Sequence, residues 1–268
     1  GADTFSFVNG HGFSGSLDGG TGDDTLTYAA VAADVNITLT GKGSQDGMCG
    51  TSTLLSGTFS NMNILIGGSG STAGSDTLTG RNEDAIFEIN TVTSYQVPAD
   101  SSSVIFSGFN KLVGGNGNDT FKFVGSAVFK GDIDGSADED LLEYSEYGTA
   151  ITVNLGSGVI SGLDGTFTKL EGMIGSPFND LLIGQVLGSV FYITGENAGD
   201  VDDNFSFESV ETVQGGSAVD TLDYSLFAGP VDVALTISTT EGYSGTGTHL
   251  GVGFIAIEFI IGTASTSD

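Results

Sequence analysis

The sequence predicts an all-β protein built as a parallel β-helix, or β-solenoid, with about 20 residues per coil. Three observations predict it: a nine-residue motif that occurs five times, short segments in which every second residue is apolar, and the lack of any longer stretch with apolar residues at helical spacing. Tight hairpins packed as a sandwich are the alternative. They are disfavoured because several connections exceed two residues and like segments recur in one order.

The recurring motif reads Phe-x-x-apolar-(Asn/Glu)-x-apolar-x-Gly and precedes an Asp. Its copies span residues 59–67, 106–114, 167–175, 207–215 and 254–262, and the Asp residues are Asp76, Asp119, Asp180, Asp220 and Asp268. One such unit cannot bury its apolar residues without its neighbours, which favours stacked coils. The Asn/Glu position holds Asn63, Asn110, Glu171, Glu211 and Glu258. Two interpretations apply to it: a ladder that binds cations or a surface, or the solvent face of a strand, which the apolar neighbours favour.

Two kinds of strand recur between the motifs. Segments 3–7, 24–28, 119–123, 140–144 and 220–224 begin at an Asp and place an apolar residue at every second position. A second kind follows about ten residues later, at 35–39, 151–155 and 231–235. We therefore predict one continuous solenoid over residues 1–268, with repeats 1–119, 120–220 and 221–268 and with both ends cutting a repeat.

Composition limits the function. The net charge of −28 makes nucleic acid an unlikely partner, and no apolar run is long enough to cross a membrane. One cysteine, Cys49, excludes an internal disulfide framework. The histidines, His11 and His249, lie in Gly-rich turns without a nucleophile motif, and the basic residues are scattered. We therefore expect no enzymatic activity.

The turns carry the ligand chemistry. Residues 19–27 and 114–122 both fit Gly-Gly-x-Gly-x-Asp-x-apolar-x. Glycines allow positive φ and aim carbonyl oxygens inward, and the Asp adds an anionic oxygen, which together suit Ca²⁺. In these turns the chain resembles the hemolysin-type calcium-binding (RTX) repeat proteins. Segments 220–225 with 231–235, and 142–145 with 151–155, resemble modules of giant secreted RTX-like surface proteins and adhesins. The resemblance implies an extracellular or cell-surface β-roll-like solenoid supported by calcium.

The two full motifs lie far apart in sequence, whereas tandem RTX repeats bind calcium between consecutive turns. Asp3 and Asp24 are 21 residues apart, as are Asp119 and Asp140, so in each pair the turns can stack and share an ion. The first predicted site comprises Gly117, Asn118, Asp119, Asp134, Asp138 and Asp140, and the second comprises Asp3, Asp18, Asp23 and Asp24. The competing interpretation is that these Asp residues only bond turn amides, and it is favoured for Asp76, Asp180, Asp220 and Asp268.

The fifth motif copy indicates self-assembly. Its outward positions are also apolar, so Phe254, Ile255, Ile257, Phe259, Ile260 and Ile261 form a predicted assembly strand. Another subunit, a further repeat or a loop such as 237–252 is expected to cover it. The sequence thus predicts a structural repeat of an extracellular filament or matrix protein that assembles end to end as a homo-oligomer. The alternatives are a calcium-dependent adhesin or carbohydrate-binding module whose partners are glycans or a cell surface, and a secretion or folding module of a larger enzyme.

Overall fold

The computed structural model describes residues 1–68 and 76–263. This part of the chain is all-β, with no helix and 51% strand, and its sheets are mixed, none of them closed. The all-β prediction is confirmed. Correspondingly, the described residues include no helix with the length and apolarity needed to cross a membrane.

The strands are short. The first fifteen are β1 (Thr4–Val8), β2 (Leu17–Asp18), β3 (Thr25–Ala30), β4 (Asn36–Lys42), β5 (Met48–Ser52), β6 (Phe59–Met62), β7 (Ile64–Ile66), β8 (Thr77–Thr79), β9 (Ile86–Ile89), β10 (Ser94–Val97), β11 (Ser102–Ser107), β12 (Lys111–Gly115), β13 (Thr120–Gly125), β14 (Asp132–Ser136) and β15 (Leu141–Tyr147). The others are β16 (Thr152–Asn154), β17 (Val159–Ile160), β18 (Phe167–Thr168), β19 (Gly172–Ile174), β20 (Leu181–Ile183), β21 (Val190–Gly195), β22 (Ala198–Val201), β23 (Phe205–Glu208), β24 (Thr212–Gln214), β25 (Thr221–Asp223), β26 (Val233–Thr239), β27 (Gly242–Gly247), β28 (Gly253–Ile257) and β29 (Phe259–Ile261).

The chain divides into two compact units. Unit 1 comprises Gly1–Lys122, Ala127–Leu141 and Leu163–Leu170, and unit 2 comprises Phe123–Ser126, Leu142–Gly162 and Glu171–Asp268. None of the six Lys and Arg residues belongs to unit 2. The carboxylates of unit 2 therefore have no Lys or Arg of their own unit to pair with.

Unit 1 contains two runs of paired strands, in the orders β1-β3-β7-β11-β10-β9 and β18-β14-β12-β8-β4-β5-β6-β2. The Asp-initiated strands β1 and β3 pair in parallel, with Thr4 beside Thr25, and β3 pairs in parallel with β7, with Thr25 beside Ile64. Antiparallel hairpins interrupt this stacking, formed by β4, β5 and β6 and by β9, β10 and β11. Parallel stacking of like segments and hairpins therefore coexist, which makes the sheets mixed.

Unit 2 repeats the arrangement in the orders β19-β23-β22-β21-β25-β29 and β17-β16-β20-β24-β28-β27-β26. Its parallel pairs include β16 with β20, β20 with β24, and β25 with β29. Its hairpins include β21, β22 and β23, and β26, β27 and β28.

The inward residues of the Asp-initiated strands lie in the core of each unit, together with residues of other strands. In unit 1 the rings of Phe87 and Phe121 stack with centroids 4.9 Å apart, and in unit 2 those of Phe123 and Tyr144 do the same at 4.9 Å. Like residues thus lie on like residues, as the period-two alternation predicts. The inward residues that the structure buries fully are Leu26, Tyr28, Phe121, Phe123, Leu142, Tyr144, Leu222 and Tyr224.

The second kind of strand is more exposed in the last of its three predicted copies. Ile37 and Val153 are fully buried, whereas Val233 at the equivalent position is half-buried, and Leu235 is 55% exposed against 2% for Leu39. The reason is a missing neighbour: β4 pairs in parallel with β8 and β16 with β20, while β26 pairs only with β27 among the described strands. The expectation that segment 231–235 matches its two counterparts is therefore wrong for burial, although its sequence pattern is the same.

Candidate functional site

A buried aspartate at each turn accepts a backbone hydrogen bond from the neighbouring layer. In unit 1, the Oδ1 of Asp119 accepts the N–H of Ala85 at 3.0 Å. In unit 2, the Oδ1 of Asp220 accepts the N–H of Ser189 at 2.7 Å. The same bond joins Asp3 N–H to Asp24, Val35 N–H to Asp76, Asp119 N–H to Asp140, and Ile151 N–H to Asp180, each at 2.7 to 2.8 Å. These carboxylates satisfy backbone donors that would otherwise be buried without a partner.

The side chain at the Asn/Glu position of the motif accepts a hydrogen bond from the backbone N–H of a corner Asp. The N–H of Asp24 donates to Asn63 Oδ1 at 3.1 Å, and the N–H of Asp220 donates to Glu258 Oε2 at 2.7 Å. The N–H of Asp180 likewise donates to Glu211 Oε2 at 2.9 Å. The interpretation of this position as the solvent face of a strand is wrong, because these half-buried residues lie at corners between strands and bond the Asp backbone.

A left-handed residue forms the bend of every motif copy. The third motif position has positive φ in all five: Asn61 (54°), Gly108 (76°), Lys169 (52°), Ser209 (56°) and Ala256 (54°). Four of the five are not glycine, so each accepts a backbone conformation that L-residues disfavour. The periodic bend suggests that the corner, rather than the strand, is what the motif specifies.

At five of the corners, the glycine five residues before the Asp makes room for the carboxylate. A Cβ on Gly114 would lie 2.4 Å from Asp119 Oδ2 and 2.4 Å from the carbonyl oxygen of Gly135. A Cβ on Gly215 would lie 2.6 Å from Asp220 Oδ2 and 2.0 Å from the carbonyl oxygen of the left-handed Ala256. Gly19, Gly135 and Gly175 meet Asp24, Asp140 and Asp180 in the same way. These five corners share the spacing Gly-x4-Asp, and two of them, 19–24 and 135–140, lie outside the five motif copies.

Burial shifts the acidity of the corner carboxylates. Desolvation and, after it, the neighbouring Asp140 carboxylate raise the pKa of Asp119 to about 8, while the bond from Ala85 opposes both. Burial also raises the pKa of Asp76, Asp180 and Asp220. In the described residues, the buried Oδ2 atoms of Asp24, Asp119 and Asp220 have no hydrogen-bond partner. A proton or a cation on this oxygen would satisfy it.

The first predicted calcium site is brought together in part. Besides the bond from Asp119 to Asp140, the Oδ2 of Asp138 accepts the N–H of Gly117 at 3.0 Å, and Asn118 Oδ1 accepts the N–H of Glu139 at 3.2 Å. The two turns thus stack, as their 21-residue separation predicts. Asp134 differs, because its oxygens lie 3.6 Å from Lys111 Nζ and 3.1 Å from Lys169 Nζ.

The second predicted site is looser. Asp3 and Asp24 are joined by the bond described above, but Asp3 and Asp23 are exposed. Asp18 Oδ1 accepts bonds from Asn61 Nδ2 at 2.6 Å and from Gly20 N–H at 3.1 Å, and these bonds, the first above all, lower the pKa of Asp18. Within residues 1–68 and 76–263, no three His, Cys, Asp or Glu side chains converge closely enough to hold a metal ion. Carbonyl oxygens would have to complete any calcium shell here.

The predicted assembly strand is divided at Glu258 into β28 and β29. Phe254 and Ile257 are buried, whereas Ile255, Phe259 and Ile261 are 40%, 58% and 44% exposed. The segment named as a possible cover, residues 237–252, instead contributes to β26 and β27, which extend the sheet edge beside β28. Asp268, the last of the predicted turn aspartates, lies outside the described residues.

Neither family models nor curated proteins give a match to this chain.

Proposed function

We propose that this chain is a structural β-solenoid module of an extracellular or cell-surface protein, related to the RTX-like repeats, in which calcium supports the acidic turns of unit 1. The observation that carries the proposal is the stacking of the Asp119 turn on Asp140, joined by a hydrogen bond of 2.8 Å, which leaves the buried Asp119 Oδ2 without a donor within the described residues and its pKa at about 8. A buried charge without a partner is costly, and a bound cation would offset that cost.

The calcium ion is proposed to sit at Asp119 and Asp140, with carbonyl oxygens of the stacked turns as further ligands. Calcium prefers carboxylate and carbonyl oxygens, and both are concentrated at these turns. The ion would neutralise carboxylates that the chain, at a net charge of −28, does not neutralise itself. Folding and ion binding are then coupled, since the unfolded chain does not hold the two turns together.

Thermal unfolding in calcium and in chelator tests this proposal. We expect the melting temperature to rise with the logarithm of calcium concentration, because the ion binds only the folded chain. Asp119→Asn keeps an oxygen for the Ala85 N–H but removes the charge, so it should abolish the calcium-dependent shift. Asp220→Asn is the matched control, since Asp220 makes the same backbone bond and the calcium shift should persist. Wild-type melting that is indifferent to chelator would remove calcium from the proposal.

The proposed module also assembles end to end. Support comes from open strand edges: β1 and β29 each end a run of paired strands among the described residues, and Phe259 is 58% exposed. A cavity of about 430 Å³ lies along β1 and is lined by Phe5, Phe7, Phe13 and Leu17 among others. Open edges of this kind invite strand addition by another chain. Electron microscopy of the purified protein should show rods that lengthen with concentration, and isolated particles at all concentrations would contradict assembly.

A further inference from the structure

Every Asp-initiated strand in the described residues docks on a preceding segment through the same two bonds, with one exception. The Asp Oδ1 accepts the N–H of a residue in that segment, and the residue after the Asp donates its own N–H to the carbonyl oxygen of the same residue. Thus Val35 N–H bonds Asp76 Oδ1 at 2.8 Å while Thr77 N–H bonds the Val35 carbonyl oxygen at 2.8 Å. The same two bonds recur at further sites. Their members, given as the segment residue, the Asp and the residue after it, are Asp3, Asp24 and Thr25; Ala85, Asp119 and Thr120; Ile151, Asp180 and Leu181; and Ser189, Asp220 and Thr221.

The antiparallel strands β26, β27 and β28 offer the same two backbone groups, one N–H and one carbonyl oxygen. Among the described residues, no Asp-initiated strand binds them. These strands duplicate the hairpin of β4, β5 and β6 strand for strand. Leu39 pairs with Gly50, next to a bulge, and Gly50 pairs with Phe59, while Leu235 pairs with Gly245, next to a bulge, and Gly245 pairs with Phe254. The outer edge of β4 is filled by β8, and no described strand fills that of β26.

Because no described strand lies beside the outer edge of β26, the side chains of β26 are more exposed than those of β4. Leu39 is 2% exposed, whereas its counterpart Leu235 is 55% exposed. Val231 occupies the place of Val35, and among the described residues its N–H and carbonyl oxygen have no hydrogen-bond partner. The edge of β26 is therefore shaped to receive one parallel strand that begins with an Asp.

Strand β1 carries the residues that make these two bonds in the other Asp-initiated strands. Asp3 directly precedes β1, whose first residues are Thr4 and Phe5, as Asp76 directly precedes β8, whose first residues are Thr77 and Leu78. In the described residues the Asp3 carboxylate accepts no hydrogen bond and the Thr4 N–H donates none, although both groups are engaged in the other Asp-initiated strands. The outer edge of β1 is the one that faces no other described strand.

Resting on the end-to-end assembly proposed above, we infer that β1 of a second copy of this chain adds in parallel to the outer edge of β26, with Asp3 of that copy accepting the Val231 N–H and its Thr4 donating to the Val231 carbonyl oxygen. The contact is heterologous, so each copy uses its β1 on one neighbour and its β26 on another, and copies add in series. The new strand would cover Leu235 as β8 covers Leu39.

Sedimentation velocity on the full chain tests the contact with two blocking variants. Leu235→Lys places a charge in the β26 edge, and Thr4→Pro removes the β1 donor at an edge position that tolerates proline. Each variant alone should remain monomeric at concentrations at which the wild-type chain forms a series of oligomers. An equimolar mixture should form dimers and nothing larger, because each variant retains the half that the other has lost. Association of either single variant as in the wild type, or a mixture that stays monomeric, would overturn the inference.

Matched controls separate the contact from folding, charge and calcium. Leu187→Lys, at a residue of the same unit that is 92% exposed, should associate as the wild type does. Asp3→Ala should weaken association about tenfold, the loss expected for one charge-assisted bond, while Asp34→Ala should not. Wild-type chain that stays monomeric at every concentration would overturn the inference. Rods that form in spite of both blocking variants would keep end-to-end assembly and reject this contact alone.

Discussion

The turn from Gly114 to Asp119 in unit 1 and the turn from Gly215 to Asp220 in unit 2 share one corner but differ in what they expose. Both place a glycine against the Asp carboxylate and both Asp residues cap a backbone amide. Unit 1 fills its turn with Gly-Asn-Gly-Asn and stacks it on Asp138, whereas unit 2 fills its turn with Gly-Ser-Ala-Val. Val219 of the second turn is 59% exposed. The corner is therefore a structural device common to both units, and the two turns differ in the polar groups that unit 1 adds to it.

The largest expected effect tests whether the corner is shared. Gly114→Ala and Gly215→Ala should each reduce the free energy of unfolding by about 3 kcal/mol or more, because the added Cβ collides with backbone oxygen and carboxylate alike. Chemical denaturation measures the loss. Gly41→Ala is the control, with nothing within 4 Å of its added Cβ, and should change stability by less than about 0.5 kcal/mol. Tolerance of alanine in one unit alone would show that the two corners are different devices.

A pH titration in chelator separates the two turns next. The pKa of Asp119 is raised from 3.8 to about 8 in the folded chain, so the folded state holds this proton more tightly than the unfolded state does. The free energy of unfolding should therefore fall as pH rises from about 4 to about 8, by at most about 1.4 kcal/mol per pH unit for this one carboxyl. Asp119→Asn should flatten most of that slope, and Asp220→Asn less of it. A wild-type slope that survives in Asp119→Asn would refute the assignment.

The cap of the Asp backbone gives a smaller effect. Asn63→Ala in unit 1 and Glu258→Ala in unit 2 each leave the N–H of an Asp without its acceptor, at a cost of about 1–2 kcal/mol. Glu258→Gln keeps the acceptor and removes a charge that raises the pKa of Asp220, so it should be neutral or slightly stabilising. Equal losses for Glu258→Gln and Glu258→Ala in denaturant melts would mean that the charge, not the hydrogen bond, matters.

The smallest effect concerns the left-handed bend. Ser209→Gly should stabilise unit 2 by about 1 kcal/mol, because glycine adopts a φ of 56° without the penalty paid by serine. Gly108→Ala, at a φ of 76° in unit 1, should cost a similar amount. Differential scanning calorimetry of the two variants compares them directly. Destabilisation by Ser209→Gly would indicate that the serine side chain contributes more than the bend costs.

Much of the strand content was predictable because its signals are local. Alternation in segments 24–28 and 119–123 predicts which residues face inward, and Leu26, Tyr28, Phe121 and Phe123 are indeed buried. The 21-residue separation of Asp119 and Asp140 predicts stacked turns, and one hydrogen bond of 2.8 Å joins them. The role of Glu211 and Glu258 was not predictable in this way, because their partners, Asp180 and Asp220, lie 31 and 38 residues away along the chain.

The sequence by itself determined that the chain is all-β and which face of each Asp-initiated strand is apolar, since both depend on spacings of a few residues. Only the tertiary structure decided which segment lies beside which, and hence that the sheets are mixed and that Leu235 is exposed while Leu39 is not. The physical reason is that burial belongs to a pair of strands: the same period-two pattern is core when a neighbour covers it and surface when none does.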